Sequence, residues 1–344
     1  MIACFVTLMP ELNAQEAASL SPNVAAIAVH DATSDIGTVK AGSRQVSPRD
    51  SVAVEGQRVT ARSVVRISVR ENGRLLVPVS INGKKECRFL FDTGATISVV
   101  SERLATKMGV SVKSTVRVQT FAGAVSLAVG QVDTLQVGNH SIVGSEVLIG
   151  DLGRLFNLDP GIEGILGQDL LSRFNYLLNR RGRKLEIEEE GNLASVVSGT
   201  RVTFEKRGGK IYVPAAGGAL RLMLDSGNPY LVLYEDVAQK LNAVMVNSSG
   251  ESAVGSSIGR RAIRPSRLPE LEIGDSHFRN VEAYLSIRGS GRSEDGFLPL
   301  HFFDSIYINN SENFLIANPL SFGDRRHNLE IQSASYLVCQ NTLW

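Results

Sequence analysis

The sequence predicts an all-β protein folded as two homologous lobes, and three observations carry that prediction. A set of landmarks occurs twice, in the same order and at nearly the same spacing. Short segments alternate apolar and polar residues at period two between Gly- and Asn-centred turns. The 32 glycines and 6% aromatic residues suit many short strands joined by tight turns. The repeat is the strongest of the three. LLVPVSINGKKECRFLFDTGA (75–95) is echoed by KIYVPAAGGALRLMLDSGN (210–228), each running from Val-Pro through a turn into an apolar strand that ends in Asp-Thr/Ser-Gly. LQVGNHSI (135–142) matches LEIGDSHF (271–278), and GILGQDLLSRFNYLLN (164–179) matches GFLPLHFFDSIYINN (296–310). Asp92 to Gly138 is 46 positions and Asp225 to Gly274 is 49, while Asp92 to Gly164 is 72 and Asp225 to Gly296 is 71.

Taken in order, residues 1–20 hold an apolar run, Ile2–Met9, too short to span a bilayer. It reads as the core of a signal peptide with a cleavage site at Leu12-Asn13-Ala14, although a basic leader is missing, and it implies a secreted or periplasmic protein. The competing reading is a first strand tucked against the body. Residues 21–70 are an N-terminal extension in which SVAVEG and SVVRISV read as extra strands. Lobe one covers 71–190, with a helix in SERLATKMGV. Ser101 or Glu102 opens that helix, Leu104 and Met108 face inward, and Gly109 closes it. The acidic, then small and polar stretch around 191–200 reads as an exposed linker. Lobe two covers 201–320, with its helix in YEDVAQKLNA, and 321–344 is a tail outside the repeat.

Composition excludes several function classes. A net charge of +1 over 344 residues gives no broad field for nucleic acid or an anionic membrane, and no segment is long and apolar enough to span one. Cys4, Cys87 and Cys339 make neither a metal cluster nor a disulfide framework, and pairing of the last two stays open. His30, His140, His277, His301 and His327 lack metal-ligand spacing and read as surface polar residues; no P-loop occurs, and no metal or cofactor is expected. GSSIG (255–259) fits Gly-x-Ser-x-Gly but lacks the strand and helix that such a nucleophile needs. Arg260, Arg261, Arg264 and Arg267 read as a solvated basic loop, and sequons stand at Asn139, Asn247 and Asn309.

The chemistry lies in the duplicated triplet. A carboxylate at the end of Phe89-Leu90-Phe91 costs several kcal/mol to bury unless it is paired, hydrogen-bonded or protonated. Two such acids brought together share a proton, so one serves as base and the other as acid. Gly94 and Gly227 let the backbone approach each carboxylate, and the hydroxyls of Thr93 and Ser226 are suited to bond across to the opposite loop. This layout resembles the pepsin and retropepsin superfamily of aspartic proteases, in a bilobal single chain, and Asp-Thr-Gly-Ala-Thr is closer to the retropepsin style. The resemblance covers both modules and implies acid-protease-type β-barrel lobes around an active-site cleft.

It further implies Asp92 and Asp225 as the catalytic pair, with Ile165-Leu166-Gly167 supporting the loop. A flap is implied in VQTFAGAVSLAV with its tip at Phe121, Ala122 and Gly123, whereas the second copy's AVGSSIGRRAIRPSRLPE reads as a looser surface loop. The expected function is peptide-bond hydrolysis of an extended polypeptide by a monomer whose lobes form a pseudo-dimer. Two alternatives stand: a degenerate peptide-binding scaffold, and a protease active only through lobe-one dimers. They rest on departures in the second copy. Asn228-Pro229 follows its triplet where the superfamily has a hydroxyl, as Ala95 does in the first copy, and Phe297-Leu298-Pro299 replaces Ile-Leu-Gly. Proline there removes an N–H and predicts that Asp225 is displaced.

Overall fold

The structure is a computed structural model, and it describes residues 7–8, 62–189, 192–238, 241, 243–245, 252–256, 259–289 and 291–319. The expectations for the signal peptide, most of the extension, the 321–344 tail and Cys339 lie outside those residues. The exception at the N-terminus is the strand Thr7–Leu8, which pairs antiparallel with Gln119 and Val118. No helix among the described residues is long and apolar enough to cross a membrane.

Among the described residues, three sheets make up the body. A nine-stranded sheet gathers the lobe-one strands from Ser68 to Leu166 together with Thr7–Leu8, and a second nine-stranded sheet gathers those of lobe two from Glu205 to Leu298. A six-stranded sheet joins the copies in the order Thr200–Thr203, Phe314–Pro319, Phe303–Asn309, Asn175–Asn179, Lys184–Glu188, Ser63–Arg66. Its two central strands come one from each copy, with Tyr176 opposite Ile308 and Asn179 opposite Ser305. The halves therefore share one hydrogen-bond ladder, and SVVRISV supplies its edge strand.

Within each lobe the repeat has the same register. Gly164-Ile165-Leu166 runs parallel to Phe89-Leu90-Phe91, and Gly296-Phe297-Leu298 runs parallel to Leu222-Met223-Leu224. On its other edge Gly164 faces Val100 and Gly296 faces Leu233, each eight positions beyond the lobe's Asp. A short strand hemmed in on both sides is buried on both faces, which is why its sequence is a continuous apolar run. Phe89, Leu90 and Phe91 are accordingly fully buried, with Phe91 edge-on to Tyr176 at 5.6 Å between ring centroids.

The lobe-one helix, Glu102–Met108, begins where the capping rule puts it: Ser101 Oγ accepts from Leu104 N at 3.2 Å, and Gly109 ends it in the left-handed region at φ 66°. Leu104 is buried and Met108 half-buried. Four expectations need correction. The linker is anchored rather than fully exposed, because Leu193 is buried and its N–H reaches the carboxylate of Glu188, which also accepts from Tyr307 OH at 2.9 Å. The second copy's loop is a hairpin: Ser252–Ser256 pairs antiparallel with Gly259–Ile273, which also carries the four arginines read as a solvated loop. His140 is buried with its ring 4.7 Å from that of Phe174, although His277 in the equivalent turn is exposed. The fourth concerns Asp225 and belongs with the site.

Candidate active site

Both strands that end in Asp-Thr/Ser-Gly deliver their acids to the junction between the copies. Asp92 N donates to Leu166 O at 3.0 Å and Asp225 N to Leu298 O at 2.9 Å, so the parallel partner strand holds each Asp backbone alike. Each carboxylate then folds back on its own turn: Gly94 N reaches Asp92 Oδ1 at 2.9 Å and Gly227 N reaches Asp225 Oδ1 at 3.0 Å. Pro299 therefore leaves Asp225 in the equivalent place, contrary to the expectation from its lost N–H. The reason is a paired change between copies. In lobe one Gly167 N donates to Ser98 Oγ at 3.0 Å. The position equivalent to Ser98 in lobe two is Leu231, so no hydroxyl waits for the N–H that proline lacks. Asn228 also contributes, since its N–H reaches Asp225 Oδ1 at 3.2 Å and its Oδ1 accepts from Tyr230 N.

The two hydroxyls lock the loops together. Thr93 Oγ1 donates to Leu224 O at 3.0 Å and accepts from Ser226 N at 3.0 Å. Ser226 Oγ donates to Phe91 O at 2.7 Å and accepts from Thr93 N at 2.9 Å. All of these groups are buried, so each bond lost strands a polar atom away from water. The loops approach closely enough that a methyl on Gly227 would lie 2.5–2.7 Å from the Asp92 carboxylate atoms. Gly167 is equally constrained, because a methyl there would stand 2.8 Å from the Ile97 backbone.

Asp92 and Asp225 are both 0% exposed. The Oδ2 atom of each is buried and receives no hydrogen bond from any described residue. Each carboxyl is close enough to the other to share a hydrogen bond. Such a bond requires a proton. Burial pushes Asp92 up to about 7, against the lowering effect of the Gly94 N–H. Burial and the adjacent Asp92 charge together hold Asp225 well above the usual carboxylate range. The pair titrates as a unit, and in its singly protonated form the two carboxyls hold one proton between them.

The expected flap residues form the tip of a lobe-one hairpin that touches lobe two. Strands Val112–Gln119 and Ala124–Val137 pair down to Gln119 opposite Ala124. The turn between them closes with Thr120 N donating to Gly123 O at 2.7 Å. Phe121 is buried, edge-on to Phe297 of lobe two at 5.7 Å, and Ala122 and Gly123 are half-buried. Sequence reasoning missed two further residues, Arg74 and Lys210. Both are buried; the Arg74 charge reaches Asp92, and Lys210, itself lowered mainly by burial, feels the charge of Asp225. The signal was available, because each stands three positions before the Val of the duplicated Val-Pro.

Comparison with known proteins gives one family and a set of structural likenesses. The family model described as aspartyl protease matches twice, over residues 77–170 and 211–302. No curated protein matches the sequence. Among solved structures, the aspartic proteinase from Irpex lacteus is 15% identical with a TM-score of 0.48, over 77% of this chain and 99% of that one. A retropepsin-like aspartic protease from Rickettsia conorii is 18% identical with a TM-score of 0.28, over 37% of this chain and 91% of that one. Conglutin gamma, a basic 7S globulin from lupine seeds, is 10% identical with a TM-score of 0.48, over 76% and 96%.

Proposed function

This chain belongs to the aspartyl protease family, and on that premise we propose that it is an endopeptidase that hydrolyses peptide bonds with a water held between Asp92 and Asp225. The observation that carries the reading is the pair of carboxyls, fully buried at the lobe junction and within hydrogen-bonding reach of each other, whose Oδ2 atoms have no other described donor. A site of this kind binds one proton more readily than two charges, and a water between the carboxyls meets an acceptor on one side and a donor on the other.

Asp92, ionised, takes a proton from the water as the water oxygen bonds to the carbonyl carbon. Asp225, protonated, gives its proton to the carbonyl oxygen, which becomes a hydroxyl, so the intermediate carries two hydroxyls and no bond to the protein. In the second step Asp92 gives the proton it took from the water to the amide nitrogen, Asp225 takes a proton from one hydroxyl, and the C–N bond breaks to leave an acid and an amine. The substrate lies extended in the cleft, held in part through its main chain beneath the flap. Because both acids are fully covered, the flap must lift before substrate enters.

The test compares wild type, Asp92→Asn and Asp225→Asn for cleavage of an unfolded protein between about pH 4 and 9. Loss in both variants supports a pair formed within one chain. Loss in Asp92→Asn alone favours a site assembled from two lobe-one copies, and an inactive wild type favours a peptide-binding scaffold.

A further inference from the structure

Lobe two buries an ion pair where lobe one is apolar. Glu294 stands two residues before Gly296; two before Gly164 in the other copy stands Ile162, packed in an apolar cluster. The Glu294 side chain is 2% exposed and that of Arg292 is 6% exposed, with Arg292 Nη1 at 3.2 Å from Glu294 Oε1. Tyr234 OH donates to the same oxygen at 3.2 Å. Buried pairs are weak stabilisers once desolvation is counted, so stability alone does not account for this exchange of an isoleucine for two charges. The guanidinium has a further contact. Arg292 Nη2 donates to Thr120 O at 2.9 Å, crossing from lobe two to the turn of the lobe-one flap. Beside it, Arg261 lies over the Phe121 ring with Cζ 5.1 Å from the centroid, its own fork tied to Ile287 O at 2.8 Å. An arginine held by a carboxylate at one N–H presents the next in a fixed direction.

We propose that Arg292 is a positioning residue that sets the closed register of the lobe-one flap over Asp92 and Asp225, with Glu294 and Tyr234 aiming its guanidinium. It acts through the flap turn. The inference deepens the protease reading, because a flap held in register fixes the height of the cleft in which substrate must lie. Thr120 O also accepts from Gln119 Nε2 at 3.0 Å. Losing Arg292 therefore leaves the carbonyl bonded within the flap while cutting its tie to the other lobe.

The test is amide hydrogen exchange on the full chain, with Arg292→Met, Arg292→Lys and the double variant Arg292→Met with Glu294→Ile, which places the lobe-one isoleucine at 294 and removes the stranded carboxylate. Thr120 and Gly123 amides are expected to exchange about ten-fold faster or more in Arg292→Met and in the double variant, consistent with loss of one charged hydrogen bond. Partial recovery is expected in Arg292→Lys, and no change in the strand Leu222–Leu224. Wild-type exchange at the flap of the double variant overturns the proposal, as does acceleration spread equally into Leu222–Leu224. Exchange needs no turnover, so an inactive wild type defeats the protease reading while leaving this measurement to stand or fall alone. With an active enzyme, kcat/KM falls about ten-fold in the double variant and its pH profile stays in place; an unchanged kcat/KM removes the link to the reaction.

Discussion

The raised titration of Asp92 makes the folded state depend on pH in a direction opposite to that of a salt-bridged carboxylate. An Asp in the unfolded chain titrates near 3.8, whereas burial holds Asp92 up to about 7. Below 3.8 both states are protonated and the site is neutral in the balance. Between 3.8 and about 7 the unfolded chain releases its proton and the folded chain keeps it, so each pH unit costs the folded state about 1.4 kcal/mol. The full span costs about 4 kcal/mol by pH 7, a large share of the stability of an ordinary domain. Asn mimics the protonated acid and does not titrate. Asp92→Asn should therefore gain stability relative to wild type as the pH rises from 4 to 7, on the order of 4 kcal/mol across the range. Urea unfolding at pH 4, 5, 6 and 7 measures the difference directly. A stability difference that stays flat across that range would show that Asp92 ionises as readily in the folded chain as in the unfolded one, and the raised titration would be refuted. Proteolysis should follow the pair: activity rises with pH as the two carboxyls give up their first proton and declines as they give up the second.

Three other outcomes follow from contacts at the loops. Gly227→Ala places a methyl 2.5–2.7 Å from the Asp92 carboxylate atoms; displacing that group by about an ångström should cost about 100-fold or more in kcat/KM with an unchanged circular dichroism spectrum. Ser226→Ala strands Phe91 O and Thr93 N, both buried, and should lower unfolding stability by about 2–5 kcal/mol, whereas Ser226→Thr keeps the hydroxyl and most of the stability. Pro299→Gly exposes an N–H toward Leu231 and should cost about 1–3 kcal/mol in urea titrations. Adding Leu231→Ser should restore most of that loss by copying the bond between Gly167 and Ser98.

The all-β fold and the two acids were legible because they depend on spacing. The parallel register of each Asp-bearing strand places Gly164 or Gly296 opposite the residue three before its Asp, and the repeat carries that spacing in plain view. The cross-bonding of Thr93 and Ser226 was legible too, since a small hydroxyl follows each acid. What stayed hidden depends on a second residue far away in the chain. Pro299 read alone predicts a displaced Asp225, and only its pairing with Leu231 removes the conflict. Glu294, between Ser293 and Asp295, reads as solvated until Arg292 and Tyr234 fold over it. The arginines in RRAIRPSRL mask a strand whose inward positions include Ile263 and Leu268, because long cationic stems can cover apolar surface as a hydrophobic residue does. The copies therefore teach most where they differ. Where Ser98 became Leu231, Gly167 became Pro299, and the shared geometry of the acids survived. Where Ile162 became Glu294, lobe two gained a buried charge whose arginine reaches the opposite flap, so the lobes are no longer interchangeable halves: one supplies the cover and the other holds it down.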